Sequence, residues 1–206
     1  MRPSKTLASL FCAFASAVCP ACAQSSSLNA LVLYDTAHRL YLDHDYAAAE
    51  NYARQALQAD PEFTDAHELF AHSLFYQKNF KAAVDAYRQT MELNARTHRL
   101  SLAHLRLATD NYAAACAMAG NVAQSKSLLK AAIATDPGYP LFYYTLARLY
   151  AERGDLENVL ANLRAACDRR SKVDPGEEFP DPRTDSTFAK YRHHPRFERM
   201  LIEAGY

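Results

Sequence analysis

Apolar residues along most of this chain recur at the three- and four-residue spacing of an amphipathic α-helix. Leu69, Phe70 and Leu74 show this spacing, and other stretches repeat it. No stretch alternates convincingly with period two, so β-strands are not expected. Residues 62–119 contain neither glycine nor proline, which favours long helices joined by short turns. The pattern predicts an all-α fold.

One alanine recurs at matching places in four segments. Ala37, Ala71, Ala113 and Ala147 are separated by 34, 42 and 34 residues, so the middle interval is one period of 34 plus an insertion of eight. Alanine at a helix crossing lets two helices approach closely, and a bulky side chain there would cost about 1–3 kcal/mol. A fixed period of this length indicates a stack of repeated helical units.

The residues around each alanine follow a shared pattern. The fourth copy reads Tyr143-x2-Leu146-Ala147-x2-Tyr150, and Asp60-Pro61 and Asp136-Pro137 close the first and third copies. The pattern resembles the tetratricopeptide repeat over roughly residues 30–172. No copy has that repeat's signature tryptophan, and Ala95 replaces the closing proline of the second copy. The resemblance implies a right-handed superhelical solenoid of about four helical hairpins, followed by short C-terminal helices.

The period also sets the predicted domain organisation. The solenoid covers residues 24–172, with repeats at about 30–63, 64–97, 106–139 and 140–173. A polar residue precedes each second helix, where its side chain can cap free amide groups. These predicted caps are Asp45, Asn79, Asn121 and Asp155.

Residues 98–105 form the insertion and contain no helix breaker. They are predicted to extend the first helix of the third repeat, which would start near Thr97 and project about 12 Å beyond its neighbours. Simple length variation between repeats is the alternative.

The N-terminus differs from the rest of the chain. Arg2 and Lys5 precede fourteen uncharged residues at 6–19, and small residues follow at Ala21-Cys22-Ala23. This pattern predicts a Sec-type signal peptide, residues 1–23, cleaved after Ala23. The mature chain is then expected in the periplasm or outside the cell, with no stable membrane span. The alternatives are a buried N-terminal helix and a lipid anchor, although neither Cys19 nor Cys22 follows a typical lipoprotein pattern.

Composition limits the possible functions. The chain has 206 residues, 50% of them hydrophobic, and 23 basic residues balance 23 acidic ones. This is the composition of a globular domain, and no basic field favours nucleic acid. Cys116 and Cys167 remain after signal cleavage, and both lie in apolar helical stretches. Two separate buried thiols are therefore expected rather than a disulfide.

Residues 173–206 are predicted to form a proline-rich loop and a C-terminal cap. Phe188 and Tyr191 are expected on one short helix, and a second is expected to start at Pro195. A solenoid needs such an end piece because its last repeat exposes an apolar face.

No catalytic motif, phosphate-binding loop or dinucleotide fingerprint is present, so an enzyme is not predicted and no cofactor is expected. His38 and His72 occupy equivalent places in consecutive repeats and should lie side by side. A shared metal ion, with Asp65 or Glu68 as further ligands, is the alternative to ordinary histidines that line a groove.

The resemblance further implies that the first helix of each repeat lines a concave, partner-binding face. Tyrosine and arginine are typical binding anchors, and an aromatic groove suits an extended peptide or an amphipathic helix. The alternative is that some of these aromatic residues simply pack between repeats. The candidates are Tyr34, His38, Tyr41, Asp65, Glu68, His72, Phe75, Tyr76, Asp110, Ala114, Met118, Tyr144, Arg148 and Glu152.

These observations predict a scaffold or adaptor that binds a protein or peptide partner of unidentified sequence. Two other classes stay open. One is a self-assembling component of the cell envelope, joined through the projecting helix of the third repeat. The other is a metal- or ligand-binding protein that uses His38 and His72.

Overall fold

The computed structural model describes residues 20–206, with side chains from residue 27 onward. The predicted signal peptide lies outside the residues whose side chains are described, and residues 1–19 lie outside the description altogether. Within the described part the chain is helical and contains no strand, which confirms the predicted all-α fold. The helices are α1 (Pro20–Leu42), α2 (Tyr46–Ala59), α3 (Thr64–Tyr76), α4 (Phe80–Thr97), α5 (Leu102–Met118), α6 (Val122–Thr135), α7 (Pro140–Glu152), α8 (Leu156–Cys167) and α9 (Pro195–Glu203).

The first eight helices pair as four antiparallel hairpins. Helix α1 packs on α2, α3 on α4, α5 on α6 and α7 on α8, and each hairpin also packs on the next. The first helices α1, α3, α5 and α7 contact one another in sequence, so they form one continuous layer. The second helices form the other layer. Each hairpin thereby buries an apolar surface that it could not cover alone.

The four repeated alanines lie where these hairpins pack most tightly. Ala37, Ala71, Ala113 and Ala147 are all fully buried, with 0% of their surface exposed. Each belongs to a different cluster of buried residues, and the four clusters follow one another along the stack. The repeat spacing therefore marks the close contacts that place the first helices side by side.

The turn inside each hairpin repeats with the same spacing. His44, Lys78, Gly120 and Gly154 all have positive φ angles, at 61°, 62°, 91° and 76°. Only glycine adopts this left-handed conformation without a steric cost. In every copy the residue after this positive-φ position donates its amide N–H to a carbonyl near the end of the first helix, as Asp155 does to Tyr150 at 3.1 Å. One backbone turn is thus used four times, although two copies have no glycine.

The insertion does not form a projecting helix, so that prediction was wrong. Helix α4 continues to Thr97, His98 ends it with a left-handed φ of 51°, and α5 begins only at Leu102. The Ser101 side chain caps α5 by accepting a hydrogen bond from the amide of His104 at 3.3 Å. The side chain of Asn94 accepts one from the amide of Leu100 at 2.9 Å. The extra residues therefore lengthen both helices and form a short turn between them.

Two of the four predicted caps form side-chain hydrogen bonds. Asp45 accepts from the amide of Ala48 at 3.1 Å, and Asp155 accepts from that of Asn158 at 3.2 Å. Asn79 and Asn121 occupy the same position, but their side chains make no capping hydrogen bond.

The C-terminal segment packs on the last hairpin. A short 3₁₀ helix at Ser186–Tyr191 contacts α7, and α9 contacts α8. Phe188 and Phe197 are completely buried in the cluster that also contains Ala147 of the last hairpin. This arrangement covers the apolar face that the last repeat would otherwise expose.

The loop before the cap is held by polar contacts with the solenoid. The Arg106 guanidinium donates to Asp136 and to Asp174, each at 2.7 Å. The hydroxyl of Tyr139 donates to the Glu177 carboxylate at 2.8 Å. These contacts fix the proline-rich loop against the third and fourth hairpins.

Among the described side chains, the two cysteines Cys116 and Cys167 are buried and unpaired, as expected. Burial raises the pKa of the Cys116 thiol and that of the Cys167 thiol to about 11, so both thiols are protonated and unreactive at neutral pH. In the described part of the chain, no helix is both long and apolar enough to cross a bilayer.

Candidate functional site

The layer of first helices contains two neighbouring cavities, and most of the predicted concave residues line one or the other. We call the first cavity the acidic-aromatic pocket. It has a volume of about 150 Å³ and lies between α1, α3 and α5. Its lining residues are Tyr34, His38, Tyr41, Asp65, Glu68, Leu69, His72, His104 and Leu107.

Glu68 is the most buried charged group in this pocket. Only 4% of its side chain is exposed, and its Oε2 atom lies 2.7 Å from Nδ1 of His104. Its other oxygen, Oε1, is buried without a hydrogen-bond partner. Burial raises the pKa of Glu68, and the hydrogen bond to Glu68 raises the pKa of His104. The pair therefore joins a buried acid to a histidine that is about half exposed.

His72 lies beside Glu68 but differs from His104 in its surroundings. Its ring packs against Tyr41 and Tyr87, with ring centroids 6.2 and 5.5 Å apart, and Nε2 has no hydrogen-bond partner. Burial lowers the pKa of His72 to about 3, helped by the nearby His104. The imidazole is therefore neutral at physiological pH and adds no positive charge to the pocket.

The tyrosines form the aromatic side of the pocket. Tyr34 packs against His38 and Phe63, and Tyr41 packs edge-on against Tyr76. Burial and the carboxylates of Asp65 and Glu68 raise the pKa of Tyr34 to about 12. Tyr41 therefore packs between repeats, as the alternative prediction expects, and Tyr34 packs within the first repeat. Both still face the cavity.

The second cavity, which we call the apolar cleft, lies between α3, α5 and α7. Its volume is about 300 Å³. Tyr76 and Met118 are 42% and 60% exposed, so they offer apolar surface to a partner. The lining residues are Phe75, Tyr76, Lys78, Phe80, Ala114, Ala117, Met118, Thr145, Arg148, Leu149 and Glu152.

Asp110 lies on α5, where its carboxylate accepts a hydrogen bond from Thr145 at 3.1 Å. Its Oδ1 atom is buried without a partner. Burial raises the pKa of Asp110 to about 7, and the hydrogen bond from Thr145 only partly opposes this. Asp110 joins α5 to α7 and lines neither of the two cavities.

Tyr144 does not reach an open groove, contrary to prediction. Only 3% of it is exposed, because Phe179 and Phe188 of the C-terminal segment pack against its ring. Its hydroxyl donates to Asp185 at 3.0 Å. The proline-rich segment folds back over the fourth hairpin, which the repeat pattern alone does not show.

His104 and Leu107 are the pocket residues that sequence reasoning missed. The predicted extension at residues 98–105 places His104 outside the groove, whereas Leu107 lies beyond that segment, three residues before Asp110 on α5. Serine is a typical N-cap residue, and assigning Ser101 as the cap would have placed the start of α5 correctly. With that start, the extra turn of α5 brings His104 against Glu68.

A third cavity lies between the second helices α4 and α6, over α5. It has a volume of about 440 Å³ and is mainly apolar, with Met91, Leu105 and Leu128 in its wall. Because α4 and α6 form its walls, this cavity opens on the side away from the acidic-aromatic pocket.

A metal site based on His38 and His72 finds no support. Among the described residues, no group of three or more histidine, cysteine, aspartate or glutamate side chains is placed to hold a metal ion. For the other open class, self-assembly through the third repeat, the first helix is shorter than predicted, because α5 begins at Leu102 rather than near Thr97.

Comparison with known proteins adds to this picture. A family model described as "Tetratricopeptide repeat" matches residues 117–165. No curated protein matches the chain.

Several solved structures share the fold. YrrB, described as "a TPR protein with an unusual peptide-binding site", has a TM-score of 0.58 and 15% identity, over 89% of this chain and 90% of that one. MamA from Desulfovibrio magneticus RS-1, residues 41 to the end, has a TM-score of 0.62 and 15% identity, over 85% of this chain and 93% of that one. The four stacked hairpins therefore have the superhelical fold of these tetratricopeptide-repeat structures, and residues 117–165 match that family's model.

Proposed function

We propose that this chain is a non-enzymatic scaffold that holds a segment of a partner protein in its concave groove. The observation that carries the proposal is the pair of adjacent cavities on the first helices, one acidic and aromatic, the other apolar. A groove with separate polar and apolar subsites suits an extended peptide or one face of a helix. The tetratricopeptide fold supports this class of function, since it is typical of protein-interaction modules.

The apolar cleft provides the clearest test. Met118 is 60% exposed at the cleft, so Met118→Glu should leave the fold intact and place a charge where a partner's apolar side chain would bind. We expect the variant to bind a partner at least about tenfold more weakly, as for an interface hot spot. The measurement is capture from envelope extract, followed by titration of the captured partner against each protein.

Ile202→Glu is the matched control. Ile202 is also a large exposed apolar residue, 72% exposed, but it lies on α9 in the cap and outside both cavities. The partner should bind this variant as well as it binds the wild type. Equal binding by Met118→Glu and the wild type would rule out the apolar cleft as the contact surface.

We further propose that the scaffold acts in the periplasm or outside the cell. The support comes from the N-terminal sequence, in which Arg2 and Lys5 precede an uncharged run and Ala21-Cys22-Ala23. Expressed with its native N-terminus in a Gram-negative host, the protein should be recovered from the periplasm with Gln24 as its first residue. Intact-mass measurement tests this. A cytoplasmic product that retains residues 1–23 would contradict it.

A further inference from the structure

The acidic-aromatic pocket has more negative than positive charge. Asp65 and Glu68 bring carboxylates to it, and none of its described lining residues is a lysine or an arginine. His104 pairs with one oxygen of Glu68 and is itself 56% exposed. His72 is neutral because burial lowers its pKa to about 3. His38 is the third histidine of the lining, so two carboxylates face three histidines and no lysine or arginine.

The second oxygen of Glu68 lacks a hydrogen-bond donor. Oε1 is buried and has no hydrogen-bond donor, although the side chain is only 4% exposed. A buried acceptor left without a donor is costly, and more so when it belongs to a carboxylate. Glu68 lines the cavity, so a donor placed there lies beside this carboxylate. A positively charged donor would also offset the charge of the carboxylate.

The rest of the pocket suits a cation as well. Tyr34 and Tyr41 line it with their aromatic rings, and the faces of such rings attract ammonium and guanidinium groups within about 6 Å. Leu69 and Leu107 add apolar surface for the methylene groups of a long side chain. The volume of about 150 Å³ admits one side chain rather than a folded element.

We propose that the acidic-aromatic pocket receives the side chain of a lysine or arginine carried by the segment that occupies the groove. The cation binds the free oxygen of Glu68 and shares that carboxylate with His104. Asp65 attracts it at the rim, and the tyrosine rings enclose it. The inference rests on the proposed function only in assigning the cation to a groove-bound segment. The pocket's preference for a cation can be tested without any partner.

Single capped amino acids are the probes. N-acetyl-L-arginine amide and N-acetyl-L-lysine amide should produce saturable NMR shifts of the Tyr34, Tyr41 and His72 ring signals in the wild-type protein. N-acetyl-L-citrulline amide has nearly the shape of the arginine probe without its charge, and it should produce none. Equal shifts with citrulline, or no saturable shift with either cation, would overturn the proposal.

Two variants locate the binding site. Glu68→Gln keeps the size of the side chain and removes its charge, so it should weaken the arginine probe about 10- to 100-fold. Asp65→Asn, at the partly exposed rim, should weaken it less and serves as a second test if Glu68→Gln proves unstable. Asp35→Asn changes an exposed acid of α1 outside the pocket and should leave the affinity unchanged. Undiminished binding by both pocket variants would also overturn the proposal.

The outcomes for the pocket and for the groove can be separated. If the arginine probe fails but Met118→Glu still abolishes partner capture, the groove binds its partner without a basic side chain in this pocket. If the probe binds and Met118→Glu captures the partner normally, the pocket holds a cation and the proposed groove is wrong.

Discussion

Replacing Phe197 with alanine should lower the free energy of unfolding by about 3–5 kcal/mol, the cost of emptying a large buried aromatic site. Phe197 is fully buried, and its ring lies 5.9 Å from that of Phe188 and 6.2 Å from that of Tyr191. All three rings belong to the cluster that covers the last hairpin. The loss should be large because the cap joins α9 and the short helix before it to α7 and α8.

The measurement is urea-induced unfolding of the purified mature chain, followed by circular dichroism. Ile202→Ala is the matched control because Ile202 lies on the same helix and is 72% exposed. It should change the free energy of unfolding by no more than about 0.5 kcal/mol. A loss below about 1 kcal/mol for Phe197→Ala would show that the cap is not part of the cooperative fold.

The cap also matters for the groove. Asp185 and Thr187 of the C-terminal segment approach the Arg148 guanidinium at 3.6 and 3.4 Å, and Arg148 lines the apolar cleft. Tyr144, on the same helix as Arg148, is covered by this segment. The segment therefore packs on the fourth hairpin and covers part of its first helix.

The sequence predicts the fold well because the constraints that determine it are local and repeated. An alanine is needed at each helix crossing, and a left-handed residue is needed in each hairpin turn. The first requirement is visible at Ala37, Ala71, Ala113 and Ala147. The second is visible only at Gly120 and Gly154, since His44 and Lys78 adopt the same conformation without glycine.

The lining of the two cavities is harder to predict because it depends on how neighbouring repeats align and on segments that are distant in the sequence. Most of the predicted concave residues do line a cavity, since the period fixes which face of each first helix is shared. His104 was missed because its position depends on where α5 begins within the insertion. Tyr144 was placed wrongly because its partners, Phe179 and Phe188, are some 35 or more residues away in the sequence.

The layer of first helices has a physical feature that affects stability. Glu68, His72 and Asp110 are buried polar groups on the first helices, and each has an atom without a hydrogen-bond partner. Unsatisfied groups of this kind cost stability in the folded state. In the acidic-aromatic pocket, a bound partner side chain would offset part of that cost. The pH dependence of unfolding measures how large the cost is.

Lowering the pH from 7.5 to 4.5 should decrease the free energy of unfolding of the wild-type protein by about 2–3 kcal/mol more than that of His72→Phe. Burial lowers the pKa of His72 to about 3, whereas a histidine in the unfolded chain has a pKa of about 6.5. As the pH falls below about 6.5, the unfolded chain takes up a proton that folded His72 excludes. The stabilising contribution of neutral His72 is therefore fully present above about pH 6.5, and it decreases as the pH is lowered to about 3.

The comparison with His72→Phe is necessary because other groups act in the opposite direction. Burial raises the pKa of Asp110 to about 7 and also raises that of Glu68, while the Glu68 hydrogen bond raises that of His104. These groups hold protons more tightly in the folded protein, so their contributions to stability decrease as the pH rises. They remain in both proteins and largely cancel in the difference between the two unfolding curves. Phenylalanine also keeps an aromatic ring between Tyr41 and Tyr87.

His38→Phe is the matched control, since His38 is the equivalent residue of the first hairpin and its ring is exposed. This variant leaves the buried His72 in place, so it should follow the wild-type pH dependence. Urea unfolding of the three proteins at pH 7.5, 6.0 and 4.5 measures the difference. Parallel curves for the wild type and His72→Phe would mean that His72 takes up its proton as readily in the folded solenoid as in the unfolded chain. The pocket would then gain a positive charge beside Glu68 below about pH 6.5, and the binding of a lysine or arginine there should weaken as the pH falls.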